Sequence, residues 1–393
     1  MKKIFKDLIL TMVIVMLSNQ LVFCCGISRS IPKPSGAIDV TQSPYNVPND
    51  RTGNASTGIQ QALNDYGGST PIWIPAGQYR LADRISITKN NTKLYMHRNA
   101  KIYRAHTSFG MIHAYNKNNV LIKGGHFDRN DQNAKRIIYF NGGSGNTIDD
   151  VYVGSYKGWC FAVYGDDSGV YNSTIRGSSG TIGDDGIHFI GGNGFTVDNC
   201  DVLSCDDGVG LFPDAREGDV NIQNVTIQNS KLVSTDCAAF GVGIHPKMSH
   251  KGGIVANVYF KNIIGSTSSS TPDTPGIKAL NYSSQGGIVE NIQILNCSIN
   301  GHAGNDLGLK IRGGNGGYLN GVIVTDTDLT SFNVRALDIR SAAGSPRHQN
   351  IEIRDCTFRN NAYIEKPSGW TWLGNTVSGP ITWKSTGDSP RGR

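Results

Sequence analysis

The sequence predicts an all-β chain wound as a parallel solenoid, closed at its N-terminal end by a short helix. Three observations carry that prediction. A six-residue phrase (apolar, any, Asn or Asp, any, any, apolar) recurs at irregular steps of 22 to 34 residues, the range of solenoid repeats. A seven-residue phrase is written twice, as Gly183-Asp184-Asp185-Gly186-Ile187-His188-Phe189 and Cys205-Asp206-Asp207-Gly208-Val209-Gly210-Leu211, 22 residues apart. Glycine is abundant, at 49 of 393 residues, which suits short strands and tight turns and argues against helical bundles.

Residues 1–25 read as a cleaved signal peptide. Lys2, Lys3 and Lys6 precede a mostly apolar run from Leu8 to Phe23, broken by Ser18, Asn19 and Gln20, and no second apolar stretch follows. Cys24-Cys25-Gly26 resembles a bacterial lipoprotein box, although Phe23 is bulky where a small residue is usual. Lipidation at Cys24 or Cys25 is therefore the alternative to simple secretion. Either way the expected location is secreted, periplasmic or cell-surface, with membrane contact only through a lipid anchor. Cleavage removes three Lys and one Asp, so the formal net charge falls from +6 to +4. That mild excess does not call for a nucleic-acid partner. Six cysteines remain, Cys160, Cys200, Cys205, Cys237, Cys297 and Cys356, with no CxxC or His/Cys ligand spacing. No metal site is expected from them.

Residues 26–100 are expected to form the cap and the first coils. Thr57 to Asn64 has the spacing of a short amphipathic helix, ended by Gly67-Gly68, and Pro71 to Leu81 reads as strand, Pro/Gly turn and strand. Such a helix would cover an open edge that otherwise recruits other chains.

Residues 101–365 carry the repeat. The phrase appears at Ile148–Val153, Val170–Ile175, Val197–Val202, Ile227–Leu232, Phe260-Lys261-Asn262, Ile294–Ile299, Val324–Leu329 and Ile353–Phe358. Its Asn or Asp is expected at a bend between two strands, bonding neighbouring backbone and stacking into a polar ladder. Cys200, Cys297 and Cys356 share one column of this phrase but never occupy adjacent coils, so they are expected as small buried fillers rather than disulfides. Residues 366–393, with three Trp and several Gly and Pro, are expected to leave the repeat as a tail folded over the side or far end.

A second repeated strand lies between the phrases: Phe161-Ala162-Val163, Ile187-His188-Phe189, Val209-Gly210-Leu211, Val242-Gly243-Ile244, Ile277-Lys278-Ala279, Leu309-Lys310-Ile311 and Leu337-Asp338-Ile339. Its apolar flanks must face the core, so period-two alternation turns the middle residue outward. One outer column then reads Ala162, His188, Gly210, Gly243, Lys278, Lys310, Asp338. Two residues on, another reads Tyr164, Ile190, Phe212, His245, Leu280, Arg312, Arg340. Gly210 and Gly243 are candidate close-approach positions or bulges. Asp185 and Asp207 enter this strand on adjacent coils, and strands one coil apart are ~4.8 Å apart, so the doubled phrase gathers several carboxylates. Repulsion between them raises the pKa of at least one. Carboxylates with split proton affinity are what glycosidic hydrolysis requires. His245, Lys278, Lys310, Arg312, Arg335 and Arg340 give the same face cations towards the C-terminal end, suited to substrate carboxylates or sulfates.

At these residues the chain resembles glycoside hydrolase family 28, the polygalacturonases and their relatives. The family pattern is Asn-Thr-Asp-Gly, an Asp-Asp pair about one coil later, Gly-His-Gly, then Arg-Ile-Lys. Here Gly183-Asp184-Asp185-Gly186 stands for the first motif, Asp206-Asp207 for the second and Pro275-Gly276-Ile277-Lys278 for the last, with Gly276 in place of Arg. Phe240-Gly241 takes the third position, leaving Phe where the family has His, and His245 lies five residues late. The N-terminal part, with Ile38-Asp39-Val40 and the Ile74–Tyr79 turn, looks like the broader pectate-lyase-like superfamily. Three aspartates so arranged also recur in dextranases and α-1,3-glucanases.

The resemblance implies a single-stranded, right-handed parallel β-helix that hydrolyses a polysaccharide with inversion, without a cofactor. By resemblance Asp206 is the general acid, while Asp185 and Asp207 hold and deprotonate water, the acid and base being ~6.5–9.5 Å apart. Substrate contacts fall to Asp184, His188, His245, Lys278, Lys310 and Arg312. Two other classes stay open. A polyuronate lyase or epimerase would use Lys278, Lys310 or Arg312 on the proton alpha to a carboxyl, with Ca²⁺ bound by the aspartates. A non-catalytic carbohydrate-binding or adhesion solenoid would bind without turnover.

Overall fold

The computed structural model describes residues 31–108, 110–130, 135–178, 180, 183–214, 221–244, 253–268, 274–281, 286–301, 307–313, 317–341, 348–365 and 369–384. The signal-peptide and lipidation readings and His245 lie outside the described residues.

The chain is all-β with a single helix among the described residues. Strands pair in parallel, each with its counterpart on the next rung. Ile187-His188-Phe189 lies on Val209-Gly210-Leu211, which lies on Phe240-Gly241-Val242, and then on Ile277-Lys278-Ala279, Leu309-Lys310-Ile311 and Leu337-Asp338-Ile339. Two further stacks complete each rung, one through Val197, Ile227, Phe260 and Ile294, the other through Val202, Leu232 and Gly265. One continuous apolar core runs between the stacks from Val40 to Ile364. Aromatic rings stack within it across the strand stacks, as in Phe240 against Phe260 at 4.2 Å. The alternation found in the sequence is thus the alternation of buried and outward side chains.

The polar ladder forms at the expected bends. Asp150, Asn172, Asn199, Asn229, Asn262, Asn296, Asp326 and Asp355 all have φ between 48° and 56°, the left-handed region that Asn and Asp tolerate best after glycine. Their amides bond rung to rung: Asn199 donates to Asn172 at 2.8 Å, Asn262 to Asn229 at 2.9 Å and Asn296 to Asn262 at 2.8 Å. A second ladder was not anticipated. It sits five residues earlier, where Asn224, Asn257, Asn291 and Asn350 have the same positive φ. Asn257 donates to Asn224 at 2.9 Å and Asn291 to Asn257 at 2.7 Å. Cys200, Cys297 and Cys356 are buried with free thiols.

The helix spans Ser56–Tyr66 and buries Ile59, Ala62 and Leu63, and Gly67 closes it by donating to the Leu63 carbonyl at 2.9 Å. Ile59 shares an apolar pocket with Ile74, Leu81, Met96 and Ile102 of the first rungs, so the helix covers their core. The C-terminal segment corrects an expectation. Thr371–Leu373 pairs with Glu352–Arg354, Thr376–Val377 with Thr357–Phe358, and Ile381–Lys384 with Ala362–Glu365. The described part of the tail is therefore one more rung, because a three-strand rung needs only short strands and turns, not the full phrase. No helix among the described residues is long and apolar enough to cross a membrane.

Candidate active site

The register of the outer column differs from the sequence reading at one rung. Gly241, not Gly243, lies between Gly210 and Lys278. Gly243 instead pairs with Leu280, and a Cβ there would lie 1.8 Å from the Leu280 carbonyl oxygen. The expected alignment slipped by two residues because Phe240-Gly241-Val242 and Val242-Gly243-Ile244 satisfy the same pattern. The space over the two column glycines is filled from within the protein. A Cβ on Gly210 would meet His188 Nδ1 at 3.1 Å and Asp185 Oδ2 at 3.3 Å, and one on Gly241 would meet Lys278 Cε at 2.5 Å.

Asp185, Asp206, Asp207, His188 and Lys278 come together around these glycines. Asp207 Oδ1 receives Lys278 Nζ at 2.7 Å and the Ala238 amide at 3.2 Å. Asp185 Oδ1 accepts the Asp207 amide at 3.1 Å, tying the two rungs together. Asp206 Oδ2 accepts the Gly183 amide at 2.6 Å. Asp185 and Asp207 are buried, whereas Asp206 is half-buried. One ligand oxygen from each of Asp206 and Asp207 and the Cys237 sulfur lie within 4.8 Å of one another. A cation could bind among these three groups, but Lys278 already stands there, with Nζ 3.2 Å from Cys237 Sγ.

Proton affinity follows from burial. Asp207 is pushed up to about 7 by burial, with the Lys278 ammonium opposing the shift and Asp206 and Asp185 reinforcing it. Asp185 is raised for the same first reason, opposed by His188. Burial works against the Lys278 ammonium, but Asp207, Cys237 and Asp206 outweigh it and hold its pKa above the ordinary lysine value. Burial also raises Cys237, which stays a thiol. The buried carboxyls of Asp207 and Asp185 therefore hold their protons to higher pH than an ordinary aspartate does.

His188 corrects another expectation. Its side chain leaves the core as predicted, yet it is 0% exposed. Trp159 stacks on it at 3.9 Å and 6°, and Nε2 lies 3.2 Å from the Phe212 carbonyl oxygen. That oxygen only accepts, so Nε2 carries a proton. Nδ1 lies 2.5 Å from Asp185 Oδ2. The pair is either carboxylate and imidazolium or acid and neutral imidazole, with one proton shared. The His188 ring is thus set against Asp185 and away from solvent. Asp184 is a similar case. It is buried, and its carboxylate accepts the Gly158 amide at 2.7 Å and the Ser178 hydroxyl at 3.0 Å, fixing the turn before the strand.

Lys310 and Arg312 belong to a second cluster further along the same face. Lys310 lies on the rung after Lys278, and Arg312 meets the buried Asp338 at 3.1 Å, joined there by Arg335 at 3.4 Å and Arg340 at 2.6 Å. Cys237, Trp159 and Phe212 were missed. Cys237 had a signal: with Phe240 on Val209, Cys237 falls on the rung position after Asp206. Trp159 covers the site from just before the strand Phe161–Asp166, and Phe212 from just after the repeated strand Val209–Leu211.

No protein-family model matches the chain, and no curated protein matches it. Solved structures do share its fold. The mannuronan C-5 epimerase A-module of Azotobacter vinelandii superposes with a TM-score of 0.66 at 14% identity over 90% of this chain and 98% of that one. The exopolygalacturonase of Thermotoga maritima gives 0.64 at 14% identity over 92% and 94%. PfbA, a surface adhesin of Streptococcus pneumoniae, gives 0.60 at 14% over 91% and 96%. The chain is thus similar in fold to polygalacturonases, epimerases and other pectate-lyase-like proteins.

Proposed function

We propose that this protein is an exported glycoside hydrolase of right-handed parallel β-helix fold that cleaves an anionic polysaccharide. The observation that carries the reading is the convergence of Asp185, Asp206 and Asp207 from two adjacent rungs, with the Asp207 amide donating to Asp185. Asp206, the most open of the three, donates the proton to the leaving oxygen. Asp207, held by Lys278, and Asp185, oriented by His188, position and deprotonate the attacking water. The cations beyond Lys278 hold the acidic chain.

The lyase or epimerase reading fits less well. It needs Lys278, Lys310 or Arg312 as the base, and Lys278 is held protonated by Asp207. The family resemblance implies an inverting mechanism. Proton NMR of the first anomer released decides it. Export rests on residues 1–25 alone, with lipidation at Cys24 or Cys25 as its variant.

The test is a digest of acidic and neutral polysaccharides, following reducing ends and the absorbance of unsaturated sugars together, with Asp206→Asn alongside. New reducing ends without that absorbance, lost in the variant, are expected. Absorbance rising with the reducing ends, or a variant with near-wild-type rate, refutes the assignment.

A further inference from the structure

The two ends of the solenoid are finished differently. At the N-terminal end the helix Ser56–Tyr66 ties up the backbone beneath it with its own side chains. The Gln60 amide group donates to the Ser86 carbonyl and accepts the Ser86 amide, both at 2.8 Å. The Ser56 hydroxyl does the same for Asp83, at 3.0 Å and 2.9 Å. A helix therefore stands where a further strand would otherwise pair.

At the other end the last described rung is Thr371–Leu373, Thr376–Val377 and Ile381–Lys384, and each strand is paired on one side only among the described residues. The Leu373 carbonyl accepts the Asp355 amide at 2.9 Å, the Thr376 and Ser378 amides donate to the Cys356 and Phe358 carbonyls at 2.9 Å and 3.0 Å, and the Pro380 carbonyl accepts the Ala362 amide at 3.0 Å. Successive strand residues turn their backbone groups to opposite neighbours, so those of Trp372, Val377, Ile381 and Trp383 point away from the body. The same four residues stand over Ile353, Phe358, Ala362 and Ile364 of the rung before, which are at most 1% exposed. Trp383, by contrast, is 42% exposed. Trp370 and Trp372 stack at 5.7 Å, and Trp383 meets Trp372 edge-on at 6.0 Å, so indole rings tile this end. Lys384 is the only charged residue in these three strands.

Outward backbone groups together with apolar rings make a template for another set of strands. Residues 385–393, Ser-Thr-Gly-Asp-Ser-Pro-Arg-Gly-Arg, contain no aliphatic or aromatic side chain, so they do not supply the inward side chains of a further rung. A head-to-tail contact would set this end against the helix-covered one. The surface that matches it in both backbone and apolar character is the same end of a second copy. Such a contact is two-fold symmetric and closes after two copies instead of growing into a fibre.

We infer that the C-terminal rung is a self-association surface through which two copies of this chain join end to end. The inference does not draw on the polysaccharide reading. Asp207 and Lys278 lie on earlier rungs, so association leaves the candidate active site uncovered and turnover is not the readout.

The experiment is sedimentation velocity and small-angle X-ray scattering of the protein over a hundredfold range of concentration. The mass is expected to double as concentration rises, and the maximum dimension to nearly double with it, because two solenoids lie in line. Trp383→Glu sets two carboxylates against each other across the contact and is expected to raise the dissociation constant at least tenfold, while Trp383→Phe keeps an apolar ring and retains the dimer. Circular dichroism verifies both folds. Ending the chain after Lys384 leaves the rung intact and is expected to leave the dimer unchanged. A monomer at every concentration, a dimer no longer than the monomer, or a dimer indifferent to Trp383→Glu overturns the inference. So does a truncated protein that dimerises where the wild type does not, since residues 385–393 would then be what covers this end.

Discussion

Replacing Lys278 with Met removes the ammonium from Asp207 while keeping an unbranched side chain against Phe212, over whose ring centroid Nζ stands at 5.2 Å. The consequence depends on pH in a way that can be worked out. An Asp carboxyl titrates near 3.9 in an unfolded chain, and Asp207 titrates at about 7 in the folded protein. Between those values the folded state holds a proton that the unfolded state has released, so stability falls by about 1.4 kcal/mol per pH unit. The contribution is fully present below pH 4 and has been lost, to the extent of about 4 kcal/mol, once pH passes 7. In the wild type the decline then levels off, because Asp207 ionises beside Lys278. Lys278 is the largest influence opposing that upward shift. Without it the carboxyl stays protonated above 7 and the decline continues. The difference in stability between variant and wild type should therefore widen by about 1 kcal/mol from pH 7 to pH 8, where the wild type still titrates in part, and change little between pH 5 and pH 6. Urea unfolding, followed by tryptophan fluorescence at each pH, measures it, and Trp159 stacked on His188 reports the site directly. Parallel stability curves for the two proteins from pH 7 to pH 8 would refute the reasoning.

Other perturbations separate the roles within the cluster. His188→Phe keeps the stack on Trp159 but removes the partner of Asp185. Turnover should fall at least tenfold with a displaced pH profile, and an unmoved profile would count against a positioning role. Gly241→Ala places a methyl 2.5 Å from Lys278 Cε and 2.9 Å from Phe212 Cζ. The lysine must swing off Asp207, so kcat should drop while circular dichroism stays that of the wild type; undiminished turnover would mean that the ion pair is dispensable. Phe240→Ala empties a fully buried position stacked on Phe260 and should cost about 3–5 kcal/mol, read as a lower urea midpoint.

Much of the architecture was written locally. Each strand alternates apolar and polar residues because it lies on a core, and each bend needs a residue that accepts positive φ, so Asn and Asp recur with the rungs. The second Asn ladder was equally legible, since Asn224, Asn257 and Asn291 each precede a ladder Asn by five residues. The tail was misjudged because its short strands carry no complete phrase, yet backbone pairing alone suffices to add a rung. The slip from Gly241 to Gly243 has a similar origin: within Phe240–Ile244 the pattern is satisfied twice, and only pairing with Val209 and Ile277 selects one register.

The sequence by itself determined that the chain stacks parallel strands and that Asp185 and Asp207 rise on adjacent rungs, because period and alternation are local properties of the chain. The tertiary structure alone decided which outward residues meet solvent. His188 points away from the core and is nonetheless buried, since Trp159 stacks on its ring and the Phe212 carbonyl lies against Nε2. It also decided which charges pair. Lys278 belongs to Asp207 and Arg312 to Asp338 through a few ångströms of side-chain reach across rungs, a distance that linear spacing does not encode.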